Sequence, residues 1–430
     1  MKSLTLPPAT VGGAAALPRG FSLIELLIAA TIGLVVMGAV ASLFGIFGRS
    51  ASETQSIVDM TNRLRGTALK LRQDLRGITC SVSPSLSPES DAGYFELIEG
   101  PASDSVDAAG NPITAATPIL GDTDDVLLFT TRTAGEPFEG KFDTDLILSP
   151  VAEVAWFCRP SPAVAQIVAG VSLQTLYRRQ LLVVGYVGAA PFSPTNSLGS
   201  TLLAAAYPRY DLSLRLEQPS NQLVPNTLSD LTQRENRFLH GPQWHVAFPN
   251  TVAPATFDAA SNREGEDAIL TNVIGFDVRV YDPDAVPHLS GSTTIVYPNE
   301  QGYGSAPPAG FKGCFLDLGC AAPAATILSG TGNPRSRLHK INSGGTATYD
   351  TWSTHYESNG VNEDSDTDSL VDEGTNGLDD NANGLVDEPL ENEVPPPYAV
   401  PLRAIEVRLR CYDPVSRQVR QTTIRQAFGK

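Results

Sequence analysis

The chain has 430 residues, enough for two or three ordinary domains, with a formal net charge of −17, 37 glycines, 33 prolines and 7% aromatic residues. So acidic a balance disfavours a basic nucleic-acid surface and leaves only a local basic stretch between Arg403 and Arg425. Five cysteines are too few for a disulfide scaffold but compatible with an extracytoplasmic domain.

In chain order, a polar leader (residues 1–20) ends in Arg19-Gly20, and an apolar run begins at Phe21, broken only by Glu25. No charge appears from Leu26 to Gly48. An ordinary secretory signal is cut after its apolar stretch. Here the Arg-Gly junction precedes the stretch, so cleavage there leaves it on the mature chain. About 23 uncharged residues at ~1.5 Å each span roughly 35 Å, slightly more than a bilayer's hydrocarbon core. Gly33, Gly38, Gly45 and Gly48 offer small faces for helix contacts. A carboxylate at mid-membrane depth costs on the order of 2.5–3.5 kcal/mol, less near an interface. Glu25 therefore calls for a partner. The helix N-terminus favours its charge, and an amine freed at Phe21 by cleavage after Gly20 supplies a cation.

Arg19-Gly20-Phe21-Ser22-Leu23-Ile24-Glu25 resembles the processing site of type IV prepilins and pseudopilins. The resemblance implies cleavage between Gly20 and Phe21 and N-methylation of Phe21 by a membrane prepilin peptidase. It also implies that Glu25 pairs with the terminal amine of a neighbouring subunit during fibre assembly. An inner-membrane, single-pass chain with a cytoplasmic N-terminus and a periplasmic or extracellular head follows from the same likeness. Charge does not set that orientation, because Arg49, Arg63 and Arg65 follow the span as Lys2 and Arg19 precede it.

Beyond the span, Ile57, Met60, Leu64, Ala68, Leu71, Leu75 and Ile78 recur in steps of three and four, defining one helical face. Arg63, Arg65, Lys70, Arg72, Asp74 and Arg76 are assigned to the remaining surface. One helix over 21–79 is expected, greasy all round over about 21–48 and amphipathic over 50–77. The β-rich head (80–283) follows, with strands at Asp125–Thr133, Glu153–Cys158, Thr175–Tyr186, Tyr210–Glu217 and Phe276–Pro283. Ile405–Pro414 repeats the last of these, including the closing Tyr-Asp-Pro, and period-2 alternation predicts one buried and one wet face. Asp413-Pro414 suits a type I turn that folds Gln418–Ala427 back as a hairpin, so 399–430 completes the head.

Between these strands lies a loop-rich insertion, 284–398, in which acidic residues 364–388 form a repeat. Asp364, Asp366, Asp368 and Asp372 align with Asp379, Asn381, Asn383 and Asp387, and Gly384 occupies the sixth position of the second copy. Alternate oxygen side chains wrap a hard cation while glycine permits the sharp turn. The segment resembles the Asp-x-Asp-x-Asp-Gly calcium loops of EF-hand, dockerin and thrombospondin-type repeats. It departs from them in Ser369, and in Thr375 and Leu390 where a bidentate Glu is usual. Calcium is the expected cofactor, with a solvated acidic spacer as the alternative. Cys314 and Cys320 are candidates to close a small disulfide loop, and at least one of Cys80, Cys158 and Cys411 is then left over.

No His-Glu-x-x-His, Gly-x-Ser-x-Gly or phosphate-binding Gly-x-x-x-x-Gly-Lys motif is present. His240 and His245 flank Gly241-Pro242-Gln243-Trp244, a weak metal pattern, and Asp122, Asp124 and Asp125 read as a solvated turn. The expectation is an α+β protein and not an enzyme: a long N-terminal helix packed on an antiparallel sheet. The architecture is similar to J-type minor pseudopilins of type II secretion and PilW-like minor pilins. That likeness implies prepilin peptidase, other pilins or pseudopilins, the inner membrane and an assembly platform as partners, with no direct nucleic-acid partner. A calcium-binding surface adhesin using the helix as a tether is the alternative.

Overall fold

A computed structural model describes residues 20–83, 86, 90–100, 121–142, 145–160, 167–168, 171–184, 206–207, 210–217, 222–233, 236–238, 265–283, 285–290, 294–297, 308–318, 348–351, 384 and 401–429. One helix, α1 (Leu23–Arg76), carries both the greasy and the amphipathic pattern. The chain divides into two compact units, 1–56 and 57–430.

In the first unit residues 20–55 are all exposed, and a Cβ built on Gly33, Gly38, Gly45 or Gly48 would touch nothing. A helix apolar on every side is stable only in lipid or against other apolar helices. α1 is the one helix among the described residues long and apolar enough to cross a membrane. Together with the Arg-Gly-Phe junction this makes the chain a single-pass, membrane-anchored protein.

In the second unit Met60, Leu64, Ala68, Leu71 and Leu75 are buried, as their spacing requires. Asp74 corrects the surface assignment: it is 1% exposed. Three residues beyond Leu71 it shares the buried face, and charged partners on the sheet meet it there.

The sheet has nine strands: β1 (Phe95–Ile98), β2 (Val126–Arg132), β3 (Val151–Pro160), β4 (Gln174–Leu182), β5 (Ala268–Asp282), β6 (Cys314–Asp317), β7 (Thr348–Asp350), β8 (Ala404–Asp413) and β9 (Gln418–Ala427). Their order is β7-β1-β2-β3-β4-β5-β8-β9, with β6 also paired to β5. Every pairing is antiparallel. The α+β arrangement is therefore the observed fold class. The expected runs coincide with β2, β3, β4, the second half of β5, β8 and β9. Leu214–Glu217 instead pairs with Gln222–Pro225 outside this sheet. Two strands, β6 and β7, come from within 284–398, where runs of Pro, Gly and Ser had pointed to loop.

The β8–β9 hairpin is closed as its sequence suggests. Asp413 accepts hydrogen bonds at Oδ1 from Val415 N (3.2 Å) and at Oδ2 from Ser416 N (3.1 Å). Arg417 sits at φ 57° and donates its N–H to the Asp413 carbonyl (2.7 Å).

The single wet face expected of these strands is not what β5 shows. Asp277 and Arg279 are 4% and 1% exposed. β5 is irregular: its register shifts around Leu270 and Val273, and Asn272 takes φ 58°. β4 pairs with it only up to Val273. Residues 121–125 take the vacated edge. Gly121 N donates to Ile274 O (2.9 Å) and Phe276 N to Asp122 O (2.6 Å). Val278 N donates to the side chain of Asp125 (2.6 Å). The predicted solvated turn at Asp122, Asp124 and Asp125 is thus corrected: Asp122 and Asp125 are each 1% exposed, because this segment stands in for a strand.

Candidate functional site

The Gly20–Phe21 peptide precedes the helix in an exposed, non-helical segment. Ser22 is the cap. Its Oγ accepts from Ile24 N (3.2 Å) and Glu25 N (3.4 Å), and its own N–H donates to Glu25 Oε2 (2.9 Å). This is the reciprocal Ser-x-x-Glu box, which satisfies amides that a helix start otherwise leaves bare. Ser22-Leu23-Ile24-Glu25 spells the box out, a local signal distinct from the processing motif that overlaps it. Its consequence is positional. The carboxylate of Glu25 is held one residue from the Phe21 nitrogen that cleavage after Gly20 would free.

The other end of α1 is bolted to the sheet. Arg178 on β4 grips Asp74 through Nε (2.6 Å to Oδ2) and Nη2 (2.9 Å to Oδ1), and Trp156 Nε1 on β3 adds a third bond (3.1 Å). The Asp74 carbonyl accepts from Thr131 Oγ1 (2.7 Å) and Gly77 N (3.1 Å), closing the helix. Three more arginines are buried against carboxylates. Arg179 pairs with Asp211 (2.8 Å), Arg237 with Asp350 (2.8 Å) and Glu96 (3.2 Å), and Arg279 with Asp317 (3.3 Å). The Arg237 guanidinium also lies 4.1 Å from the Tyr94 ring centre. These contacts explain why charged residues line the interior of so acidic a chain.

A third cluster has no such balance. One carboxylate oxygen from each of Glu99, Asp122 and Asp125 lies within 4.8 Å of the other two, and all three side chains are buried. Glu99 accepts from Leu318 N (3.0 Å), Asp125 from Gly100 N (3.3 Å) and Val278 N, and Asp122 from Asp124 N (3.2 Å). Asp122 Oδ2 is buried with no hydrogen-bond partner. Gly100 belongs to the construction, since a Cβ there would overlap the Asp124 carboxylate. Burial, and then the charge of Asp125, push Glu99 well above the usual carboxylate range; burial with Asp125 and Asp124 does so for Asp122. Burial with Asp124 and Asp277 does so for Asp125. At an effective dielectric of about 20, like charges at ~4.8 Å repel by about 3–4 kcal/mol per pair. Protons or a cation must relieve that repulsion, and donors made wholly of carboxylate oxygen suit a hard cation.

Of the acidic repeat, Asp364, Asp366, Asp368, Asp372, Asp379, Asn381, Asn383 and Asp387 lie outside the described residues. Gly384 is described and takes φ 92°, the left-handed region expected of the glycine in such a loop. Cys314 is buried on β6, while Cys320 lies outside the described residues. Burial pushes the Cys80 and Cys411 thiols up to about 12, leaving them unreactive at neutral pH. Of the histidines only His288 is described, in a short hairpin against Val296.

No curated protein and no solved structure shows a significant match to this chain. A family model does match at the N-terminus, over residues 18–41, where Gly20, Phe21 and Glu25 lie. It implies processing by prepilin peptidase and association with the membrane and other pilins. The chain therefore carries the prokaryotic N-terminal methylation motif, the signature of type IV prepilin-like proteins.

Proposed function

We propose that the chain is a minor pseudopilin or type IV pilin-like subunit. It is held in the inner membrane by α1 until an assembly platform draws it into a pilus or pseudopilus with other pilins. The observation that carries this reading is Glu25, set beside the processing junction at the start of an apolar helical stretch that is exposed throughout and carries no charge from Leu26 to Gly48. Such a surface needs other helices once it leaves lipid, and the carboxylate needs a cation among them. The fibre would serve secretion, adhesion, motility or DNA uptake. The head, periplasmic or extracellular, works mechanically and not as an enzyme, and its size suits a minor component better than a densely repeated one.

A second reading is favoured by the acidic repeat. If 364–388 bind calcium, the chain is a tethered surface adhesin whose helix serves as an anchor only. Replacing Glu25 by Gln separates the two. A fibre subunit stays in the membrane fraction, processed, and no longer crosslinks to other pilins. A tethered adhesin keeps its surface exposure and binding. Recovery of Met1-to-Gly20 still joined to Phe21 in all purified material overturns both processing and assembly. For the repeat, calcium should slow proteolysis within 361–391, and unchanged cleavage at millimolar calcium refutes it.

A further inference from the structure

We infer that Glu99, Asp122 and Asp125 form a calcium site inside the head, separate from the acidic repeat. It binds one ion and fastens residues 121–125 to β5 and to the ends of β1 and β6. Four observations carry the inference.

First, the geometry matches. Calcium–oxygen bonds of about 2.3–2.6 Å place oxygens on opposite sides of the ion up to about 5 Å apart. The three carboxylate oxygens already lie within 4.8 Å of one another.

Second, Asp122 Oδ2 is an orphan. Asp122 is 1% exposed, its backbone is fixed by the bond from Phe276 N to its carbonyl, and Oδ2 has no hydrogen-bond partner. A buried acceptor left bare is expensive, and a cation beside Glu99 and Asp125 would supply the missing partner.

Third, the surrounding arginines are committed elsewhere. Arg279 lies on Asp317 (3.3 Å) and Arg408 approaches Asp277 (3.8 Å), so these outer carboxylates have their cations. The Arg410 guanidinium packs against Gly121 and bonds Gln421 through Nε (3.1 Å). Among the described residues no ion pair reaches Glu99, Asp122 or Asp125. Arg178, Arg179, Arg237 and Arg279 each pair with a buried carboxylate of their own, so this gap departs from the way the rest of the head is built.

Fourth, the site selects between hard cations. Magnesium dehydrates reluctantly and keeps several waters, whereas calcium accepts an irregular shell of protein oxygens. Glu99, Asp122 and Asp125 are at most 4% exposed, which leaves little room for a retained water shell. Calcium is therefore the ion assigned.

The test uses the full chain in detergent, with calcium chloride, magnesium chloride or chelator as the only variable. The reference variant is Asp379→Asn/Asp387→Asn with Asp364→Asn/Asp372→Asn, which disables the repeat. In that reference, equilibrium dialysis should still count one bound calcium per chain. Calcium at a hundredfold excess over its Kd should raise the melting temperature by roughly 3 °C over chelator. Adding Asp122→Asn should remove the bound ion and the thermal response while leaving the far-ultraviolet spectrum intact. In chelator this neutral, near-isosteric change should match or exceed the parent's melting temperature, because it removes a repelling charge. A chain without a bound calcium when the repeat is disabled overturns the site, whatever Asp122→Asn does to folding. So does undiminished binding in Asp122→Asn, and an equal response to magnesium overturns the choice of ion.

Discussion

Removing the Asp74 carboxylate tests whether one buried ion pair holds the amphipathic half of α1 to its sheet. In Asp74→Ala, Arg178 loses both charge-assisted bonds, at 2.6 and 2.9 Å, and keeps Gln180 Oε1 (2.9 Å) as a side-chain acceptor. Trp156 Nε1 loses its acceptor as well. Arg178 is 7% exposed, so water does not replace the carboxylate. A unit pair at about 4 Å is worth about 4 kcal/mol at an effective dielectric of about 20, and breaking a buried pair by truncating one partner costs about 3–5 kcal/mol. Chemical denaturation of the full chain in detergent should show a loss of that size. Asp74→Asn, which keeps an acceptor for Trp156, should fall between Ala and the parent. The decisive arm is Asp74→Ala/Arg178→Leu. Removing both charges should cost less than either truncation alone, since most of the penalty is an uncompensated charge. A single-variant loss below about 1 kcal/mol, or strict additivity in the double, refutes the reasoning.

Other changes have defined signs. Gly66→Ala and Gly77→Ala make the same chemical change with opposite outcomes. The first fills open space on α1 and should stabilise by about 0.5–1 kcal/mol. The second drives a Cβ into Arg132 O and Thr131 Oγ1 and should cost about 1–3 kcal/mol; equal effects in denaturation would contradict the packing. Ser22→Ala removes the cap and should cost about 0.5–2 kcal/mol locally, read as faster amide exchange at Ile24 and Glu25. Glu153 accepts from Tyr94 (2.7 Å), Ser213 (2.5 Å) and Phe238 N (2.8 Å), yet burial outweighs these bonds and raises its carboxyl above the ordinary value. The folded chain thus holds that proton more tightly than the unfolded one. Its contribution is full below the unfolded value of about 4.3 and is lost as pH rises through the folded value. The stability of the parent relative to Glu153→Gln should decline over that window, and a pH-independent difference rules the linkage out.

What could be read from the chain alone divides along physical lines. The greasy and amphipathic halves of α1 rest on period and composition, which are local, and both are found where the spacing of Met60, Leu64, Ala68 and Leu71 places them. β8 and β9 are equally legible, because alternation and an Asp-Pro turn lie within a few residues of each other. β6 and β7 are not. They are short segments set among loop-forming residues, and only their pairing with β5 and β1, distant in sequence, makes them strands. Asp74 misled for the related reason that polarity argues for the surface while position argues for the core. Its partner, Arg178, lies about a hundred residues along. The acidic triad failed most completely. Asp122-Thr123-Asp124-Asp125 has the composition of a wet turn, and nothing local reveals that Glu99 and the free edge of β5 enclose it.

These carboxylates separate by where their counter-charge comes from. Asp74 finds Arg178 within its own chain, so its work is done when the head folds, and its loss should register as stability alone. Among the described residues Glu25 finds only the Ser22 amide, a dipole instead of a charge, ahead of a stretch without charge from Leu26 to Gly48. Glu99, Asp122 and Asp125 find backbone amides and one another. A group that the isolated chain solvates incompletely gains most from something that arrives later. Adding an N-terminal ammonium from a second subunit should therefore change the state of Glu25, and adding a cation that of the triad, while neither should move Asp74. Ranking these acids by unmet charge rather than by burial thus distinguishes structural sites from those awaiting a partner. A Glu25→Gln chain that assembles normally would show the ranking to be worthless at its most important position.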